Sequence, residues 1–366
     1  MNLATVGVKF YPNKRLILNG NVEGVKYYKY LNWCKIPVKI LHEYEVYYPL
    51  FQGHIDAYHA FNTIIMTHKP WCCTFETIVP RSGRNREKRL RYLLEVLSRD
   101  NCKKLISLSQ ASCNLQLNFL KKFPGVGDCI AKKTMMLKVP QPLLVDGAKD
   151  KVNEGKIKFF FVGDDFVRKG GPEIITALHR LHKKRQDFEL VMITKLDHTR
   201  NYVFKNFQDS PEFIKNINAL IEEDKDFIHM YPHMPFDEVK ELMAKCDVGL
   251  LPTWADSYGF SVLEMQACGL PIITTDCRAL PETNVHGWRI KLPKGEAYDI
   301  NLKDANEKEE VRKYITESLY NIFDEILDNR KDVIERGQKS FDFIREVHSP
   351  ALYTQRISEI YSTFGI

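Results

Sequence analysis

Long apolar runs are missing from this sequence of 366 residues. No stretch of about eighteen consecutive apolar residues occurs, so we expect no membrane-spanning helix. The opening segment MNLATVGVKFYPNKR lacks the apolar centre of a secretory signal peptide, so export is not expected. With 44% hydrophobic and 27% charged residues, the composition is typical of a soluble globular protein, and the length suffices for two domains.

Paired cysteines and metal-ligand spacings are missing as well. The nine cysteines are scattered, and no CxxC pair occurs among them. An odd number of cysteines without a disulfide framework indicates reduced thiols and a cytoplasmic protein. We therefore expect neither disulfides nor a metal site.

Basic residues are concentrated in the first part of the chain. Residues 1–150 hold 23 Lys and Arg against 11 Asp and Glu, whereas the remainder holds 30 against 36. The densest basic segment is either a solvated helix start or a contact surface for anions, such as membrane lipid phosphates or a phosphorylated acceptor. Nucleic acid is not expected, because no recognition motif accompanies the charge. The cations concerned are Arg81, Arg84, Arg86, Lys88, Arg89 and Arg91.

Predicted strands alternate with predicted helices along most of the chain, which favours an α/β protein with parallel, doubly wound sheets. Two strands are predicted at 4–10 and 37–42, with a helix at 22–33 between them. A polar linker is predicted at 143–156, and one long helix at 311–343. Later strands are predicted at 156–162, 188–194, 248–251 and 272–275.

The segment 252–276, PTWADSYGFSVLEMQACGLPIITTD, combines a polar loop, a short helix and a buried strand. A helix that begins after Gly259 presents free backbone N–H groups and a positive dipole end, which suits an anion. Two carboxylates, Asp256 and Glu264, flank that helix start. Local alternatives exist for both: Ser261 and Glu264 fit a capping box, and Asp256 fits an Asx turn.

A second loop, VGDDFVRKGG at 162–171, also leads from a strand into a helix. Glycines permit close backbone approach, and the neighbouring cations Arg168 and Lys169 suit a diphosphate. A plain surface turn would have the same composition, so the pattern alone leaves both interpretations open.

Taken together, Asp256, Gly259-Phe260, Glu264 and the tail Ala267-Cys268-Gly269-Leu270-Pro271 resemble the nucleotide-sugar site of GT-B glycosyltransferases, family 4 (group 1) in particular. The resemblance implies two Rossmann-like doubly wound domains that face each other across a cleft. An acceptor-side domain would span 1–147, with the C-terminal helix 346–366 packed back on it. A nucleotide-sugar domain would span 148–345.

The same resemblance implies a retaining hexosyltransferase-type enzyme that needs no metal or other cofactor, and no DxD motif follows a predicted strand. It would move a sugar from a UDP- or GDP-sugar to a hydroxyl of a glycan or lipid-linked acceptor, in polysaccharide or glycoconjugate synthesis. The enzyme would work in the cytoplasm, at the inner face of the membrane if the basic segment binds lipid.

The resemblance also implies residue roles. Glu264 would bind the ribose and Asp256 the donor sugar, while Lys169 and Arg168 would bind the diphosphate. His59 and Glu76 would act on the acceptor side, each with a purely structural alternative. The donor would be lined further by Gly163, Ser257, Tyr258, Gly259, Phe260 and Ser261.

Three positions depart from the family pattern. The first acid is usually Glu where this chain has Asp256, an Arg often stands where this chain has Asp164, and many relatives carry His at the position of Glu76. The departures at Asp256 and Asp164 leave open a non-catalytic nucleotide-sugar-binding partner subunit. A nucleotide-sugar epimerase is a further alternative, because one such family shares the fold.

Overall fold

The structure is a computed structural model, and it describes residues 1–7, 21–31, 46–49, 52–81, 87–150, 152, 155–196, 201–295 and 297–365. The predicted strand at 37–42 lies outside these residues. The described chain forms two compact units, Met1–Gln141 with Val347–Ile366, and Pro142–Glu346. The predicted boundaries, and the division into acceptor and donor domains, stay predictions.

The first unit contains a six-stranded parallel sheet in the order β2-β1-β4-β6-β7-β8, and a separate two-stranded sheet formed by β3 and β5. Its strands are β1 (Asn2–Gly7), β2 (Lys26–Leu31), β3 (Val46–Tyr47), β4 (Ala57–Phe61), β5 (Ile64–Ile65), β6 (Trp71–Phe75), β7 (Cys102–Ser107) and β8 (Thr134–Met136). Its first helices are α1 (Glu87–Ser98), α2 (Gln110–Leu120) and α3 (Val126–Ala131).

The predicted helix at 22–33 is wrong, because Lys26–Leu31 forms strand β2 and pairs in parallel with β1. Tyr28 and Tyr30 pack into the core on one side of the sheet, whereas Tyr27 packs into the cluster on the other side. Closely spaced aromatic residues suit a strand covered on both faces, and this packing outweighs the weak helical spacing.

The second unit contains a parallel sheet in the order β11-β10-β9-β12-β13-β14. Its strands are β9 (Ile157–Val162), β10 (Phe188–Ile193), β11 (Ile228–Tyr231), β12 (Val248–Leu251), β13 (Ile272–Thr275) and β14 (Trp288–Ile290). Its helices are α4 (Gly171–His182), α5 (Pro211–Glu223), α6 (Phe236–Ala244), α7 (Phe260–Ala267), α8 (Leu280–Thr283), α9 (Ala305–Asp328) and α10 (Arg330–Val347), with a 3₁₀ turn at Tyr202–Phe204.

Helices cover both faces of this second sheet, which confirms the predicted doubly wound α/β architecture. On β9, Phe159 and Phe161 pack against α4, α5 and α9, whereas Phe160 packs against α6 and α7. The alternation follows from the two-residue period of a strand. The predicted strands at 248–251 and 272–275 coincide with β12 and β13.

The predicted long helix at 311–343 is instead two helices, α9 and α10, separated at Asn329. Asn329 leaves the helical conformation, with φ −125° and ψ 67°. Its side-chain oxygen then accepts a hydrogen bond from the Asp332 amide at 3.3 Å, as an N-cap does.

The last helix, α11 (Pro350–Ser362), packs on the first unit. Tyr353, Ile357 and Tyr361 contact the strand residues Leu3 and Cys72 in one buried cluster. No helix among the described residues has the length and apolarity to cross a membrane.

Candidate active site

The strand order of the second sheet reverses between β9 and β12, which pair with each other in parallel. Open parallel sheets bind ligands outside the carboxyl ends of the strands at such a reversal. The loop after β9 contains Gly163, Arg168 and Lys169, and the loop after β12 contains Asp256. The fold therefore brings the two predicted donor-binding segments to one edge of the sheet.

Lys169 lies across the backbone of Gly163. A Cβ atom at residue 163 would be 2.3 Å from Lys169 Cδ and 2.9 Å from Lys169 Nζ, so a larger residue there would displace the lysine side chain from this position. The Lys169 amide donates to the Asp165 carbonyl at 2.9 Å. Within the described part of the chain, no hydrogen bond or ion pair engages the Lys169 ammonium. The loop thus presents one cation at the end of β9.

Arg168 links the two loops. Its Nε donates to Asp165 Oδ2 at 3.0 Å, and its Nη1 donates to the Ala255 carbonyl at 2.5 Å. Burial alone would lower the pKa of this guanidinium, but the hydrogen bond to Asp165 and the nearby Asp256 raise the pKa overall. The contacts favour a positioning role, and the predicted diphosphate contact of Arg168 stays a prediction.

Backbone contacts reinforce this link. The Trp254 amide donates to the Arg168 carbonyl at 2.8 Å, and the Thr253 hydroxyl donates to the same oxygen at 3.0 Å. Gly170 has φ +84°, and a Cβ there would lie 2.2 Å from the Pro252 carbonyl oxygen. Glycine permits both this conformation and this approach, so the two loops can lie in direct contact.

Asp256 forms the Asx turn that was the local alternative for this residue. Its Oδ1 accepts hydrogen bonds from the amides of Tyr258 at 3.1 Å and Gly259 at 2.7 Å. The Gly259 amide is therefore engaged and cannot also donate to a diphosphate, and the diphosphate contacts predicted for Phe260 and Ser261 stay predictions. Asp256 Oδ2 accepts no hydrogen bond from the residues that the structure describes, which leaves one oxygen for a ligand.

The capping-box alternative for Ser261 and Glu264 is wrong. Helix α7 begins at Phe260, its N-cap is Gly259 with φ +77°, and no side chain caps it. Ser261 is the second helical residue, so it cannot serve as the N-cap. Glu264, half-buried one turn further on, keeps its predicted ribose contact as a prediction.

Two further predicted donor-site residues lie just before α7. Tyr258 is buried and its ring packs at 5.1 Å from that of Phe260, so it supports the helix start. Ser257 is half-buried. Neither position has a contact that assigns it to a donor.

His59 is enclosed in the first unit. Hydrogen bonds of 2.8 Å join its Nδ1 to the Tyr361 hydroxyl and its Nε2 to Thr74 Oγ1. Complete burial lowers the pKa of His59 to about 3, so the ring stays neutral. Both ring nitrogens are engaged and no surface is exposed, which corrects the expected catalytic position to a structural one.

Glu76 follows β6 directly and is partly exposed. Its Oε2 accepts a hydrogen bond from Asn62 Nδ2 at 3.3 Å and lies 3.5 Å from Arg81 Nη2. Its amide donates to Asn62 Oδ1 at 3.0 Å. The carboxylate stands at the carboxyl edge of the first sheet, and its predicted acceptor role stays a prediction.

Sequence reasoning missed a buried ionic network next to Trp254, in the loop that follows β12. Glu173 Oε1 accepts from Trp254 Nε1 at 3.1 Å and from Arg312 Nε at 3.0 Å. Arg312 Nη2 donates to Asp209 at 2.8 Å, and Lys308 Nζ donates to the same carboxylate at 2.8 Å. The available signal was a charged residue on an otherwise apolar helix face, at Glu173 within GPEIITALHRL.

The basic segment is described only in part, because Arg84 and Arg86 lie outside the described residues. Lys88 and Arg91 are exposed on α1, where Arg91 pairs with Glu87 at 2.7 Å. Arg81 is exposed and lies beside Glu76 rather than on the helix. Among the residues described, no group of three or more His, Cys, Asp or Glu side chains has the arrangement of a metal site.

The sequence profile of one family, glycosyl transferases group 1, matches residues 146–339, which is more than half of the chain. The chain belongs to this family. The matched segment contains both loops and the whole of α7. It also contains all six strands of the second sheet, so the family assignment rests on the unit that carries the candidate donor site.

Two relatives show the extent of the similarity. The uncharacterised glycosyltransferase MJ1178 of Methanocaldococcus jannaschii is 28% identical over 174 residues, which cover 45% of this chain and 43% of the relative. The D-inositol 3-phosphate glycosyltransferase of Pseudarthrobacter chlorophenolicus is 25% identical over 138 residues, covering 37% and 30%. The chain thus spans less than half the length of each of these relatives.

Solved structures extend the likeness to the whole fold. Anabaena HepE, crystallised with UDP and with UDP-glucose, superposes with a TM-score of 0.61 at 13% identity, over 99% of this chain and 100% of that one. At this identity the likeness shows the fold alone, and that fold is GT-B. The predicted fold class is therefore confirmed.

Proposed function

We propose that this protein is a retaining glycosyltransferase that uses a UDP- or GDP-sugar and a hydroxyl acceptor. The observation that carries the proposal is the junction of the two loops at the sheet reversal. That junction holds the Lys169 ammonium, the available Oδ2 of Asp256 and the start of α7 at one edge. A cation, two helix amides and a carboxylate are the groups that a sugar diphosphate requires.

In the proposed reaction, the acceptor hydroxyl attacks the anomeric carbon on the same face from which the diphosphate departs, as retention requires, while the bond from that carbon to the diphosphate oxygen breaks. The acceptor proton passes to the departing diphosphate oxygen, so the burial of His59 is no obstacle. Lys169 and the amides of Phe260 and Ser261 stabilise the charge that develops on the diphosphate. One such donor is worth roughly 3–4 kcal/mol in known enzymes. Asp256 Oδ2 accepts a hydroxyl of the donor sugar, and Glu264 accepts the ribose hydroxyls.

Support for a uridine nucleotide comes from the fold neighbour HepE, which binds UDP and UDP-glucose. Support for an anionic or lipid-linked acceptor comes from the basic first part of the chain. Lys88 and Arg91 on α1, with Arg89, would bring the enzyme to anionic lipid at the inner face of the membrane. Retention on vesicles with anionic phospholipid at low salt, and release at high salt, tests that contact.

The first experiment is a thermal-shift panel of UDP, GDP and their sugar conjugates on wild type and Glu264→Ala. A ligand at 100 times its dissociation constant stabilises the folded state by about 2.7 kcal/mol, which is visible as a melting shift. We expect one nucleotide to shift wild type and to lose most of that shift in the variant. If none shifts wild type, the donor site is absent.

Turnover then separates the three functions. Slow release of free nucleotide from the sugar conjugate, abolished in Glu264→Ala, supports a transferase. Binding without any turnover supports the partner-subunit alternative, and conversion of the donor to a stereoisomer without nucleotide release supports the epimerase. Retention of the anomeric configuration is tested by the coupling of the anomeric proton of the transferred sugar in the product.

A further inference from the structure

Tyr202 is an exposed aromatic side chain near the candidate donor site. It opens the 3₁₀ turn in the segment between β10 and α5. Its relative exposure of 62% is the highest among the large apolar side chains that the structure describes. Exposure of a single tyrosine is ordinary in folded proteins, so the contacts of the turn and the groups around the ring decide what it does.

Buried polar contacts fix the turn that carries Tyr202. Asn201 is buried, its Oδ1 accepts from the Val203 amide at 3.0 Å, and its own amide donates to Gln208 Oε1 at 3.0 Å. Gln208 Nε2 closes the turn by donating to the Asn201 and Lys205 carbonyls, at 2.8 Å each. The backbone on both sides of Tyr202 is thus held in one conformation, which lowers the cost of ordering the ring when a ligand binds.

The same turn is anchored to the loop that carries Asp256. Phe204 is fully buried and packs edge-on against Trp254, with 4.8 Å between the ring centroids. Trp254 precedes Asp256 by two residues in the loop after β12. This buried aromatic pair therefore fixes the position of Tyr202 relative to Asp256, whose Oδ2 accepts no hydrogen bond from the residues with described positions.

Charged side chains from the other loops at this edge lie around Tyr202. Arg168, in the loop after β9, places its Cζ atom 5.8 Å from the centre of the ring, within cation–π range. Partial desolvation raises the pKa of the Tyr202 hydroxyl, and the nearby Arg168 and Arg278 oppose this rise in pKa. Asp299 and Asp256 are close enough to add to the rise. The ring therefore combines an exposed apolar face with a polar surrounding.

Both guanidiniums near the ring already have a carboxylate partner. Arg168 Nε donates to Asp165 Oδ2 at 3.0 Å, and Arg278 Nε donates to Asp299 Oδ1 at 2.7 Å. Because each cation is compensated by its own carboxylate, neither forms an unpaired charge that would select a phosphate. The surroundings of Tyr202 thus favour a neutral ligand with an apolar face and hydroxyl groups, and a pyranose ring has both.

From these contacts we propose that Tyr202 is a stacking platform for a pyranose ring, in a sugar subsite beside Asp256. The apolar C–H face of the sugar lies on the exposed phenol ring, and a sugar hydroxyl donates to Asp256 Oδ2. The sugar belongs either to the donor or to the acceptor, since both present the same ring chemistry, and experiment separates the two sources. The inference rests on the proposed function for its place in the reaction, but sugar binding itself can be measured without turnover.

The experiment has two arms, each on wild type and Tyr202→Ala. In the donor arm, isothermal titration calorimetry compares UDP-glucose, UDP-N-acetylglucosamine and GDP-mannose with free UDP and GDP. In the acceptor arm, ligand-observed NMR measures the binding of methyl α-glucoside, methyl α-galactoside and methyl α-mannoside, with and without UDP. We expect Tyr202→Ala to weaken sugar-dependent binding about tenfold in one arm, which identifies the source of the sugar. Binding of the free nucleotides should stay at its wild-type value.

Two further variants are controls. Tyr202→Phe keeps the ring and should bind sugar as wild type does, whereas Tyr314→Ala removes another exposed tyrosine, on α9 of the same unit, and should change nothing. The subsite is overturned if Tyr202→Phe loses as much affinity as Tyr202→Ala. It is equally overturned if neither arm shows sugar-dependent binding that Tyr202→Ala weakens. Failure of wild type to bind UDP or GDP overturns the proposed function instead, and the methyl glycosides without UDP still test the subsite, so the two failures are distinct.

Discussion

The substitution Arg312→Met should strongly destabilise the protein, because it removes the central cation of the buried network that contains Glu173 and Asp209. Arg312 contacts three carboxylates: Glu173 at 3.0 Å, Asp209 at 2.8 Å and Glu309 at 3.1 Å. Glu309 is exposed, so its pair contributes less than about 1 kcal/mol. Asp209 keeps Lys308 at 2.8 Å. The loss therefore falls on Glu173, whose side chain is completely buried.

Removal of one partner from a buried ion pair typically costs 3–5 kcal/mol, because the remaining charge is left unpaired. Glu173 Oε2 is buried and already has no hydrogen-bond partner among the described residues, so the stability of the carboxylate depends on the contacts of Oε1. We expect Arg312→Met to lower the free energy of unfolding by about 3–5 kcal/mol at pH 8. The matched double variant Glu173→Gln/Arg312→Met keeps an acceptor for Trp254 Nε1 and removes the charge, so it should recover most of this loss.

The pH dependence gives an independent check. Burial raises the pKa of Glu173 above its ordinary value of 4.5, although Arg312 opposes the shift. The folded state then holds more protons than the unfolded state above pH 4.5, so this group makes stability fall as the pH rises. Without Arg312 the pKa of Glu173 rises further, so stability falls with rising pH over a wider pH range.

Urea unfolding of the three proteins between pH 4.5 and 8 measures both effects. The difference in unfolding free energy between wild type and Arg312→Met should become smaller towards pH 4.5. The double variant should show no such trend. A deficit below about 1 kcal/mol at pH 8, or one that does not vary with pH, would refute the assignment of an unpaired Glu173 charge.

Three other outcomes are expected. Lys169→Met should lower kcat/KM for the donor by 10²–10³, while the control Lys183→Met, at an exposed lysine just after the end of α4, should not lower it. Equal effects would exclude a diphosphate contact for Lys169. Tyr361→Phe should destabilise the first unit by about 1–2 kcal/mol through the lost bond to His59, without altering the nucleotide melting shift. Because burial lowers the pKa of His59 to about 3, stability should fall as the pH drops below 6.5, and His59→Gln should flatten that fall in acid unfolding curves.

Much of the second unit was predictable because its local and tertiary signals agree. Apolar runs such as IITT at 272–275 are covered on both faces, so they read as parallel strands from the sequence. The first unit was harder. The segment KYYKYL has aromatic residues for both faces of the sheet, and its pairing with β1 spans more than twenty residues, which no local pattern encodes.

The sequence indicated which segments meet at the candidate site but not their detailed geometry. Glycine-containing loops after strands indicated two segments that the fold brings to one edge of the sheet, yet the sequence could not show that Arg168 reaches Ala255 across 87 positions. Likewise, His59 precedes its partner Tyr361 by 302 positions, so its burial under α11 could not be inferred locally. Such long-range contacts decide whether a polar residue is structural or available for a ligand.

Asp256 departs from the family pattern, and its hydrogen bonds show what the shorter side chain does in this loop. Asp, unlike Glu, is short enough for its carboxylate to accept from the amides two and three residues further on, as it does here with Tyr258 and Gly259. One oxygen therefore fixes the loop that leads into α7, and the other stays available. The shorter side chain reaches less far towards a sugar. The loop that carries it is fixed, however, by the hydrogen bonds that Arg168 makes with the Ala255 carbonyl and the Trp254 amide. The hydrogen bonds of Asp256 thus hold a short carboxylate in a fixed position at the start of α7, which a longer and more flexible glutamate side chain would not do in the same way.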